Sequence, residues 1–161
     1  MPYYYSTPTN SNSNGTASTN SYTMNMVSIA GLRAAVQKLM GGTFVTPADN
    51  AVLLRLYNTT TLFTAGGAIV PQPLAAGAGA TAAIASQALP TTAPTIGSGV
   101  LSTVPKIQLA FNQRGTAMWA AFNADEGVGF QGAVAPNAEL VLVNQSTGIS
   151  VPIYTNVIHS E

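Results

Sequence analysis

Apolar and polar positions alternate along much of the last third of the chain. In "PKIQLAFNQ", Ile107, Leu109 and Phe111 fall on one side and Lys106 and Gln108 on the other. A period of two marks a strand with one buried face. "GTAMWAAFNADEGVGFQG" reads as strand, turn, strand, with Asp125, Glu126 and Gly127 at the tip. "ELVLVN" is mostly continuous in its apolar character, which predicts burial on both faces. "ISVPIYTNVIH" alternates again, with Ile149, Val151, Ile153 and Val157 inward. Pro152 lacks an amide donor, so this strand is expected at an edge or beside a bulge.

Upstream the period changes. In "NMVSIAGLRAAVQKLMGG", Ile29, Leu32, Val36, Leu39 and Met40 follow helical spacing. Ser28 can cap the start, Lys38 suits the C-terminal carbonyls, and Gly41–Gly42 can end the turn. The pattern predicts one helix over about residues 28–40. "NAVLLRLYNTT" then reads as a strand and polar turn, with a return strand in "LFTAGGAIVPQ". The segment 75–99 is biased toward Ala, Gly, Thr and Pro; Thr81–Ala88 suits a short helix and the rest a long loop. "ADNAVLLRLYNTT" and "APNAELVLVNQST" resemble each other weakly, as equivalent hairpins of an antiparallel sandwich do.

Residues 1–22 hold no charge and no aliphatic run. Alone, such a stretch buries too little apolar surface to offset its ordering entropy. It reads as a disordered tail, or as an extended arm that orders only against a neighbour, with Tyr3, Tyr4 and Tyr5 as anchors. Residues 23–161 form one domain. The fold class expected is mainly β: an antiparallel β-sandwich or jelly roll preceded by one short α-helix and an N-terminal arm.

Composition sharpens this picture. Charged residues make up 6 % of the 161 residues, with five bases, five acids and a formal net charge of zero. Soluble domains usually carry ~25 %, and a near-neutral surface favours association. Much of the surface is therefore expected to be covered by partners or by copies of the chain. The scattered bases Arg33, Lys38, Arg55, Lys106 and Arg114 make no footprint for a phosphate backbone, so no nucleic-acid partner is expected. No segment reaches the ~18 apolar residues of a helical membrane span, and no membrane partner is expected. The start lacks the basic and apolar regions of a secretory signal, so synthesis in the cytoplasm is expected. The absence of cysteine removes disulfides and thiolate zinc sites.

Reactive groups are few. His159 is the single histidine, and no "GxSxG" setting accompanies the serines. It reads as a solvent-facing or interface residue. Asp125 and Glu126 are adjacent, unsuited to converge across a cleft, and read as a solvated tip. Trp119 reads as a core or interface aromatic. No catalytic residue, metal site or cofactor is predicted, and an enzyme is not expected.

The features "MWAAF", "DEGVGF", "LVLVN" and "VPIYTNVIHSE" in the last third resemble small accessory structural proteins of tailed bacteriophages. That resemblance implies a jelly roll, a homotrimer, and a place on the virion capsid surface with the major capsid protein as partner. The function expected is a non-enzymatic capsid decoration or cement protein that bridges capsid subunits. The contact residues expected are Tyr3, Tyr4, Tyr5, Leu32, Val36 and Leu39. A head-fibre or tail module, or a coat subunit, is the alternative in the same setting. A carbohydrate-binding sandwich, with Trp119, Tyr57 and Tyr154 stacking on sugars, is the alternative outside it.

Overall fold

The computed structural model describes residues 3–6, 21–27, 35–43, 49–59, 67–74, 85–88, 104–123, 127–129, 139–145 and 153–160. Every regular element among them is a strand. In chain order these are β1 (Tyr3–Ser6), β2 (Ser21–Val27), β3 (Ala35–Thr43), β4 (Ala51–Thr59), β5 (Gly67–Ile69) and β6 (Gln72–Pro73). They continue with β7 (Ala85–Ala88), β8 (Ile107–Asn112), β9 (Thr116–Ala120), β10 (Val128–Gly129), β11 (Glu139–Asn144) and β12 (Ile153–Ser160).

The strands form two antiparallel sheets. The first runs β10-β3-β12-β1-β6, with β9 also paired to β3; the second runs β5-β7-β2-β11-β4-β8. The longer strands pair in a nested way: β1 with β12, β2 with β11, β3 with β9 and β4 with β8. Members of successive pairs belong to alternate sheets. Both sheets contribute to a single apolar cluster: Val36, Leu39, Ile153 and Val157 from the first, and Met24, Leu54, Leu109, Leu140 and Leu142 among those from the second. The observed burial follows the strand period. Ile107 and Leu109 are buried between exposed Gln108 and Ala110, and Phe111 packs on the cluster. Leu140, Val141, Leu142 and Val143 are all buried, as a continuously apolar strand requires. The two weakly similar segments become β4 and β11, which lie side by side in one sheet.

Residues 35–40 are strand, not the second half of a helix. A bulge explains why their pattern reads as helical. Ile158 pairs with Lys38 but His159 pairs with Val36, so Gln37 is an extra residue on β3. The bulge resets the alternation, and Val36 and Leu39, three apart, both face the core. Gly41 is not a helix terminus either. A Cβ there would lie 2.8 Å from Leu54 Cδ1 and 3.2 Å from the Phe111 ring, so its missing side chain lets the second sheet approach. Residues 28–34, including Leu32, lie outside the described residues.

Other expectations are corrected by pairing. Ala85–Ala88 is a strand between β2 and β5; ladder bonds on both sides override alanine's helix preference. β5 pairs β7 and does not return along β4. β12 is central in its sheet, between β3 and β1, and not at an edge, and its partner β3 carries the bulge; Ile149, Val151 and Pro152 lie outside the described residues. Proline instead marks β6, whose Pro73 lies at the sheet edge opposite Tyr4. Residues 3–6 order against their own chain, because β12 supplies the ladder and Tyr4 enters the core. Residues 7–20 lie outside the described residues.

Candidate interaction surface

The inner face of the first sheet carries an unusual polar group of side chains. His159 is fully buried rather than solvent-facing, and its ring stacks on Tyr4 with centroids 5.6 Å apart and planes inclined by 23°. On the other face, where Ser160 pairs with Tyr3, Gln37 Nε2 donates to Ser160 Oγ at 3.0 Å. Ser6 and Thr155 are buried on the same sheet. These contacts tie β1, β3 and β12 together. Among the described residues no group of three or more His, Asp or Glu gathers to hold a metal ion.

The outer face of the same sheet is different. By alternation it presents Tyr3 and Tyr5 from β1, Tyr154, Asn156 and Ile158 from β12, Lys38, Met40 and Gly42 from β3, and Thr116, Met118 and Ala120 from β9. Lys38 is the one formally charged residue in this set. Met118 is 58 % exposed and Tyr154 39 %. The row Tyr154–Gly42–Thr116 has no side chain in its middle. A groove of about 480 Å³ opens there, with Met40, Met118, Tyr154, Thr116 and Asn156 around Gly42. Asn156 is held by the Tyr5 hydroxyl, which donates to its Oδ1 at 3.0 Å.

The edge beside this groove is interrupted. Ala120 pairs with Lys38, and the Ala121 amide donates to the Gln37 carbonyl at 2.9 Å. The next position of β3, Val36, is paired by Val128. β9 and β10 therefore follow one another along the same edge of β3 and do not form the expected hairpin. Ala121 and Val128 thus take consecutive rungs of β3, and Phe122 and Asn123 follow Ala121 outside the ladder. Phe122, the first of them, is 99 % exposed. Residues 124–126, with Asp125 and Glu126, lie outside the described residues.

Among the described residues, the outer face of the second sheet is buried along β11 and exposed along β8. Val141 and Val143, opposite in direction to the core leucines, are 0 % exposed. Arg55 Nε donates to Gln108 Oε1 at 2.8 Å, and Arg55 NH1 donates to Gln145 Oε1 at 2.6 Å. The same Gln145 oxygen accepts from the Tyr57 hydroxyl at 3.1 Å. This network ties β8, β4 and the end of β11.

The residues expected to make contacts divide accordingly. Val36 and Leu39 belong to the chain's own core, and so does Tyr4. Tyr3 and Tyr5 keep surface on the outer face of the first sheet. The three aromatics expected to bind sugars do not meet: Trp119 packs inward on the core cluster, Tyr57 is buried on the second sheet, and Tyr154 lines the groove. Residues that sequence reasoning passed over are Met40, Gly42, Thr116 and Phe122. Their signal was the apolar series Met118, Ala120, Phe122 on the face opposite Trp119, a series with no core to enter. No protein-family model, curated protein or solved structure matches the chain.

Proposed function

We propose that this chain is a non-enzymatic virion structural protein, a capsid decoration or cement subunit that associates with copies of itself and with the major capsid protein. The observation that carries the reading is the outer face of the first sheet: largely apolar, with Lys38 its one formal charge, and open at Tyr3, Met118 and Tyr154. Large exposed apolar patches mark association sites, and a chain with 6 % charged residues has little else to keep copies apart.

The strand orders β9-β3-β12-β1 and β8-β4-β11-β2 support a jelly-roll winding of the two sheets. Such a winding rolls up a long two-stranded ribbon, which is the meaning of the nested pairs. It occurs in viral capsid domains, and also in lectins and cupins; the fold alone therefore does not choose the function. The dispersal of Trp119, Tyr57 and Tyr154 weighs against the lectin. The arm enters in a reduced form, since residues 3–6 are part of the sheet.

Two measurements test the reading. The purified chain, 16.4 kDa, should have the native mass of a trimer. Antibody raised against it should label the heads of intact phage particles that encode it. A dispersed monomer, or particles without label, refutes the proposal.

A further inference from the structure

We propose that Phe122 of one copy seats in the groove over Gly42 of a second copy of this chain. The inference rests on the self-association proposed above and adds which surfaces meet. Phe122 stands where the backbone leaves the sheet, 99 % exposed, and is the most exposed of the large apolar side chains described. A ring exposed to that degree has its full apolar burial still to gain on contact with a partner. The groove, about 480 Å³, has room for it. The sulfurs of Met40 and Met118 suit an aromatic edge, and Tyr154 offers a ring for an edge-to-face contact. Thr116 and Asn156 form a neutral polar rim.

Charge selects the occupant. The groove is lined by no Asp, Glu, Lys or Arg, so it offers nothing to an acidic or basic peptide. β9 and Phe122 themselves carry no charge, with Asp125 and Glu126 following three and four residues on, and two copies with zero net charge have no overall repulsion. The chain cannot fill its own groove in this way. Phe122 is six residues from Thr116, ~20 Å along an extended strand. The edge itself permits approach. Among the described residues β9 has no further strand on its outer side. It carries none of the Lys, Glu or Pro that commonly keep edges apart. A seated Phe buries ~150–250 Å². Met118, Tyr154 and Ile158 on the same face extend the contact toward the ~800 Å² per partner of a specific interface.

The lack of cysteine in the chain makes cross-linking clean. Phe122→Cys and Thr116→Cys variants are purified separately, mixed in equal amounts and treated with a mild thiol oxidant. The mixture should form a covalent dimer about tenfold or more faster than either variant alone, because the interface raises the local thiol concentration. Phe122→Ser, checked for folding by its melting curve, should lose the oligomer and run at 16.4 kDa. Equal cross-linking of one variant with itself overturns the contact. If wild type is oligomeric but the mixture does not cross-link, self-association stands and this contact falls. If wild type is monomeric, both fall.

Discussion

The two sheets share a core but finish their outer faces in opposite ways. The second sheet seals Val141 and Val143 and ties Arg55, Tyr57, Gln108 and Gln145 into a network. The first leaves Met118, Tyr154 and the groove over Gly42 open to water. Both outer faces contain apolar side chains, so hydrophobicity alone does not distinguish them. What differs is whether the chain has already satisfied the face. A face closed from within contributes to stability; one left open gains its burial only on association.

Substitutions on the two faces separate these roles. The largest effect is expected from Val143→Glu, which places an unpaired carboxylate in a fully buried site. It should cost at least about 4 kcal/mol, enough to unfold the chain in a denaturant titration; a stable, folded variant breaks the distinction between faces. Arg55→Ala removes two side-chain hydrogen bonds at a half-exposed position and should cost about 1 kcal/mol, read as a lower melting temperature with the native mass unchanged. Met118→Lys on the open face should change stability by no more than about 0.5 kcal/mol. Its effect should appear instead in sedimentation, as loss of the oligomer. If Met118→Lys lowers stability and leaves assembly intact, the roles of the faces are reversed.

Much of this architecture was readable in advance where period and burial coincide. β8, β9, β11 and β12 follow from alternation, and the two-sided burial of β11 follows from its unbroken apolar run. β2 was readable too, since Met24 and Met26 alternate with Asn25 in "SYTMNMV" and both enter the core. It was overlooked because polar residues surround it. β3 failed for a definite reason. One bulged residue, Gln37, turns a strand's spacing of two into three and imitates a helix. The turn expected at Asp125–Gly127 presupposed that neighbouring strands pair with each other, whereas β9 and β10 both pair with β3.

The contact residues show the same limit. Tyr4, Val36 and Leu39 were expected to touch a partner and are buried by their own chain instead; sequence cannot say which of the two buries a residue. The open face was present in the letters only as surplus apolar positions on the outward side of β9.

By itself the sequence determined the strand-forming character of the chain, the inward positions of most long strands, and the scarcity of charge. These depend on residue type and on the two-residue period of an extended backbone, which are local. Only the tertiary structure decided that β1 lies between β12 and β6, that Gly41 admits the facing sheet, and that Gly42 and Phe122 make a hollow and a projection on one edge. Those features depend on which strands become neighbours, and neighbours are chosen by the closing of a common core.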